Sequence, residues 1–96
     1  MNQRFIEQQK DRLIRRRTKY LQIVNDKNYP EYYRLQKSNI GLVFISEALQ
    51  KIEDGTYGIC KDCHQEIPIE RLKAVPGALR CVKCEERGGV VYNANH

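Results

Sequence analysis

Four cysteines stand in two pairs, Cys60-Lys61-Asp62-Cys63 and Cys81-Val82-Lys83-Cys84, with 17 residues between the pairs. The two-residue gap lets both thiols of a pair turn toward one point, and the spacer is long enough for the chain to fold back. Four sulfurs so arranged can surround one Zn²⁺ tetrahedrally. Four protein ligands leave no coordination position for water or substrate, so such an ion holds structure rather than performing chemistry. Binding as thiolates lowers the formal net charge of +5 by two and gathers that negative charge at the site. Lys61, Arg80 and Lys83 lie near enough in sequence to offset part of it.

Other cysteine chemistries fit less well. Two disulfides would need an oxidising compartment, and the first ten residues hold no apolar run that could act as a secretory signal. A redox-active C-x-x-C needs one pair beside a βαβ pattern and leaves the second pair without a role. Cys60-x-x-Cys63-His64 also spells a c-type haem attachment site, but Cys81 and Cys84 would then be idle. His64 is expected to be a solvated loop residue, with a supporting place beside the metal as the other reading. With no open metal position, no Ser/His/Asp set and no phosphate-cradling glycine loop, an enzyme is not expected.

At 96 residues, 41% hydrophobic and without Trp, the chain can bury only a small core, so a metal staple suits its size. No stretch approaches 18 apolar residues, and no membrane span is expected. Reduced cysteines together with the missing signal point to the cytoplasm. The charge is unevenly placed, because residues 1–24 hold seven basic and two acidic groups while the remainder is close to neutral. A basic first segment suits an acidic partner, either nucleic acid or an acidic protein surface, but it suits a merely solvated helix face equally.

The elements that position these groups follow from periodicity. Asn2 to Val24 contains no Pro or Gly, and Ile6, Leu13, Tyr20 and Val24 recur at helical spacing, flanked by Ile14 and Leu21. Arg4, Arg12, Arg15 and Lys19 collect on roughly the opposite side, bordered by Arg16, and form a candidate binding face. Asn25-Asp26-Lys27-Asn28-Tyr29-Pro30 is a turn, with Pro30 tolerated at the start of the next helix. From Glu31 to Glu53 a heptad stripe runs through Leu35, Leu42 and Leu49, interleaved with Ser38, Ile45 and Ile52. Two antiparallel helices are the simplest way to bury both stripes.

Ile40, Val43 and Phe44 project away from that seam. The zinc module or the C-terminal tail could cover them, or they could meet a partner or a second copy. Gly41 among them costs about 1 kcal/mol relative to Ala in a helix interior and invites a reason such as close approach of another backbone. Asp54-Gly55-Thr56-Tyr57-Gly58 ends the helix. Ile67 to Leu72 reads as an extended or turn-like segment, and Val75-Pro76-Gly77 as a turn. Glu85-Glu86-Arg87 could start a helix that Gly88-Gly89 stops, and Val90-Val91-Tyr92 could dock on the hairpin. The expected architecture is mainly α: an antiparallel two-helix coiled-coil hairpin over residues 1–54 with its turn near 25–30, then a small C4 zinc finger with a short tail over 55–96.

The run from Leu49 through Gly55-Thr56-Tyr57-Gly58-Ile59-Cys60 to Cys63, with Glu66-Ile67-Pro68-Ile69-Glu70-Arg71-Leu72, Pro76 and Leu79-Arg80-Cys81-Val82-Lys83-Cys84, closely resembles the DksA/TraR C4-type zinc finger family. The resemblance covers about residues 48–86, and its acidic-Gly-x-Tyr-Gly and Ile-Pro-x-x-Arg-Leu elements are not generic zinc-ribbon features. It implies one structural Zn²⁺ on Cys60, Cys63, Cys81 and Cys84. It also implies a bacterial or phage transcription regulator that binds RNA polymerase directly, its hairpin entering the enzyme's secondary channel. Some members act together with the alarmone ppGpp. The tip of the well-studied members carries a D-x-x-D-x-A pattern; here the tip has Asp26, with Glu31 five residues on. Asp26 is thus the candidate tip contact. The alternative is a zinc-stapled nucleic-acid or protein adaptor working through Arg4, Arg12, Arg15, Arg16 and Lys19. Direct DNA binding is the less favoured reading, and a monomer is expected rather than a dimer.

Overall fold

In the computed structural model, which describes residues 1–87, the first helix begins where the sequence offers a cap. The Asn2 side chain accepts the Phe5 N–H at 2.8 Å, satisfying one of the free donors of the first turn of α1, Gln3–Val24. Residues 25–30 make the turn. Asp26 closes it twice: its Oδ1 accepts the Asn28 N–H at 2.9 Å and its carbonyl accepts the Tyr29 N–H at 3.2 Å. Pro30 precedes α2, Glu31–Gln36, as its missing N–H allows. A π turn over Lys37–Gly41 comes next, and α3, Leu42–Asp54, ends on Gly55 in the left-handed region at φ 77°.

The chain divides into two compact units, Met1–Tyr57 and the residues from Gly58 onward. In the first, α1 runs antiparallel to the second helical stretch: Lys10 meets Glu53 at 3.7 Å, while nearer the turn Tyr20 lies against Lys37 and Gly41. Leu13, Ile23, Ile45 and Ala48 are buried along the seam. Gln9 is buried with them and donates to the Tyr57 hydroxyl at 3.1 Å, which fixes the polar end of the seam. Burial pushes the Tyr57 hydroxyl's pKa up, against the lowering influence of Gln9 and Arg12.

The π turn departs from the straight heptad helix. One extra residue in a turn rotates the helix on its N-terminal side by about 100° relative to the helix on its C-terminal side. Leu35, expected in the seam with Leu42 and Leu49, is therefore 50% exposed, and Tyr33 and Lys37 turn inward instead. The Lys37 ammonium lies over the Tyr20 ring at 4.9 Å and the Tyr33 ring at 5.0 Å, and Tyr33 stacks on Tyr29. The reason for Gly41 is a side chain rather than another backbone. A Cβ there would stand 2.6 and 2.8 Å from Tyr20 ring carbons. Gly41→Ala is expected to destabilise the hairpin by about 1–3 kcal/mol through overpacking, less what helix propensity returns. Urea melts checked against the Tyr20→Ala/Gly41→Ala pair, in which the clash is gone, measure it.

In the second unit the spacer is not extended. Ile69–Ala74 forms a short helix, α4, behind Pro68, with Glu70 in its first turn, Lys73 in its last and Leu72 fully buried. Residues 82–87 are helical as well, starting earlier than Glu85. The described residues contain no extended strand, only an antiparallel pairing of Ile59 with Glu66. Ile67, Leu72, Pro76, Ala78 and Leu79 are buried here beside Cys60 and Cys84. The Gly88-Gly89 stop and the Val90-Val91-Tyr92 segment lie outside the described residues. No helix among the described residues is long and apolar enough to cross a membrane.

Candidate metal centre

Each cysteine pair sits on a tight backbone loop built by hydrogen bonds. In the first, the Cys60 N–H donates to Gln65 O at 2.8 Å, the His64 N–H to Cys60 O at 3.0 Å and the Ile67 N–H to Gly58 O at 2.7 Å. The loop needs left-handed backbone at Gly58 and at His64, φ 88° and 63°. In the second, the Glu85 N–H donates to Cys81 O as the helix over 82–87 begins. A backbone bond ties the two pairs together, from the Lys61 N–H to Leu79 O at 2.9 Å.

The result brings all four sulfurs within 4.8 Å of one another, with Cys63 and Cys81 sulfurs 3.8 Å apart. A tetrahedron with Zn–S bonds of about 2.3 Å has S···S edges of about 3.8 Å. A disulfide, at about 2.05 Å, is far shorter, and all four cysteines are free. Cys60 and Cys84 are buried, Cys63 and Cys81 half-buried, as in a closed structural site. The donor set and its spacing fit one structural zinc, and no water or substrate position is left among four thiolates.

The electrostatics of the four thiols are unequal. Burial pushes the Cys60 thiol up, but backbone N–H groups around Cys63, Cys81 and Asp62 outweigh it and hold the thiol at about 6. Cys84 is pushed up to about 12 by its hydrogen bond with Cys81, by burial, and by Cys60 and Cys63. Of the basic residues near the pairs, Arg80 is engaged by carboxylates, Asp62 at 2.7 Å and Glu85 at 3.9 Å, and its backbone carbonyl accepts from Arg71 at 2.9 Å. The guanidinium that reaches a sulfur is Arg87, whose Nη2 lies 3.9 Å from Cys84 Sγ. Its position three residues after Cys84 on a helix was the available signal. His64 is exposed and stands outside the sulfur cluster.

In the first unit, Arg4, Arg15, Arg16 and Lys19 are exposed on α1. Arg12 is half-buried and donates to Gln9 Oε1 at 3.1 Å, so the structure groups it with the Gln9–Tyr57 contact. Asp26 is half-buried in the turn it closes.

Residues 55–87 match the prokaryotic dksA/traR C4-type zinc finger. The chain is 42% identical over 66 residues to an uncharacterized protein of Aquifex aeolicus, covering 66% of this chain and 46% of that protein. It is 42% identical over 43 residues to the RNA polymerase-binding transcription factor DksA of Caulobacter vibrioides, covering 45% of this chain and 30% of that one. The matches thus span less than half the length of these curated relatives. Among solved structures, the RNA polymerase binding protein and transcriptional regulator Dks of Chlamydia trachomatis superposes with a TM-score of 0.75 at 33% identity, over 96% of this chain and 95% of that one. A hairpin of this architecture, four sulfurs spaced for one zinc, and a match running almost end to end with the chlamydial protein place one conclusion beyond the fold alone: the chain belongs to the DksA/TraR C4-type zinc finger family.

Proposed function

We propose that this protein is a cytoplasmic, zinc-containing transcription regulator that binds RNA polymerase directly, presenting its helical hairpin to the enzyme's secondary channel. The observation that carries the reading is the near full-length similarity to the chlamydial polymerase-binding regulator, which covers the hairpin as well as the finger. The chain's own residues supply two parts. Cys60, Cys63, Cys81 and Cys84 hold the zinc, which when bound cross-links the two cysteine loops. α1 and the stretch from Glu31 to Asp54 form a rod whose α1 alone is roughly 33 Å long, with the turn at its end.

Asp26 is the acidic group of that turn, but its carboxylate also accepts the Asn28 N–H. The two roles separate by substitution. Asp26→Asn keeps an oxygen for the turn and removes the charge, whereas Asp26→Ala removes both. If the charge makes the contact, both variants lose their effect on promoter complexes in a transcription assay while still co-purifying with core polymerase. Normal regulation by Asp26→Asn with loss in Asp26→Ala would reduce the residue to a turn former. Failure of the wild-type chain to co-purify with core RNA polymerase would overturn the reading as a whole.

A further inference from the structure

Four thiolates around one Zn²⁺ leave a net negative charge on the cluster, and the groups that steady it are the donors aimed at the sulfurs. The two buried sulfurs are served differently. Cys60 Sγ accepts from backbone N–H groups of Cys63, Cys81 and Asp62. Cys84 Sγ lies instead among the thiols of Cys81, Cys60 and Cys63, and the Arg87 guanidinium approaches it, with Nη2 at 3.9 Å. Cys84 is only 5% exposed, so water has little access to it and its donor must come from the protein.

The other cations near the pairs stand elsewhere. Arg80 faces Asp62 at 2.7 Å and Glu85 at 3.9 Å, and Lys83 is exposed with no contact to a sulfur among the described residues. Arg87 reaches Cys84 because the helix over 82–87 sets the two residues three apart on one face. A hydrogen bond from a guanidinium to a thiolate is charge-assisted and about twice as strong as a neutral one. We propose that Arg87 is a positioning residue for the zinc: its guanidinium steadies the Cys84 thiolate as a ligand and thereby sets how tightly the ion is kept. Retention of the metal then depends on a residue outside the two C-x2-C pairs, whatever the chain binds through its hairpin.

The test titrates the full, reduced, metal-free chain with zinc against a competing chelator, and separately with Co²⁺, whose thiolate charge-transfer absorption reports the electron density on sulfur. Arg87→Met keeps an aliphatic side chain and removes the donor. It is expected to weaken zinc binding by about 10–100-fold, the usual loss when the partner of a metal ligand is removed, and to shift the cobalt charge-transfer band. Arg87→Lys, which restores a cationic N–H donor, should recover part of both. Lys83→Met makes the same change in charge on the same helix away from any sulfur, and should stay within about five-fold of wild type. Circular dichroism of the zinc-saturated variants checks that each folds. Zinc affinity of Arg87→Met within about five-fold of wild type would overturn the proposal. An equal loss in Lys83→Met would do the same, because the effect would then be one of general charge. So would a loss in Arg87→Met with an unchanged cobalt band and no recovery in Arg87→Lys, which would reduce the arginine to a support of the helix.

Discussion

Stripping the metal with a strong chelator at neutral pH is expected to release one zinc per chain and unfold the unit that begins at Gly58. Apart from cysteine, the described residues of that unit bury little more than Ile67, Leu72, Pro76, Ala78 and Leu79. Structural zinc supplies about 10 kcal/mol or more in finger-sized units, comparable to the roughly 5–15 kcal/mol net stability of whole domains. The loss should appear as collapse of amide dispersion for residues 58–87 in an NMR spectrum, and Cys84→Ser should reproduce it without chelator. The dependence on pH has a definite sign. A thiol held at about 6, as Cys60 is, becomes protonated as pH falls through that value, while Cys84, pushed up to about 12, yields its proton only when a metal competes for the sulfur. Zinc uptake should therefore release protons at neutral pH, and apparent affinity should fall as pH falls, most steeply toward and below about 6. Reduced, purified protein without stoichiometric zinc would contradict this account.

The hairpin should respond most to Leu13→Ala. Leu13 is only 1% exposed in the α1 seam, and removing three carbons from such a position costs about 2–5 kcal/mol, the spread reflecting how far the neighbours close the cavity. Leu21, on the same helix and 46% exposed, is its control, and Leu21→Ala should fall within about 0.5 kcal/mol of wild type. Urea unfolding followed by the helical signal measures both. Equal effects at the two positions would mean that the seam is not where α1 buries its side chains.

These outcomes depend on features of very different legibility. The cysteine spacing, the turn at 25–30 and the helix stop at Gly55 can be read directly, because each is a local rule. C-x2-C turns two thiols toward one point, Asp26 and Pro30 favour a turn, and Gly55 takes a left-handed backbone without a Cβ. Helix α4 is six residues long, too short for periodicity to declare itself, and Ile-Pro-Ile reads as extended until Leu72 is known to be buried. The π turn is harder still. Leu35, Leu42 and Leu49 fit a straight helix, and what displaces Leu35 involves the Tyr20 ring, which lies on the other helix and far away in sequence. For the basic face, spacing alone grouped Arg12 with Arg15 and Lys19, whereas its hydrogen bond to Gln9 depends on the position of Tyr57.

The widened turn at Lys37–Gly41 also bears on how hairpins of this kind can vary in length. It holds one residue more than an ordinary helical turn, so a chain lacking one residue there could close the turn to regular α and keep both ends facing as they do now. Elsewhere in the same helix a single deletion would swing every side chain on one side of it away from its neighbours. The segment is thus the place where this arm can lose a residue while its tip and its base keep their bearing.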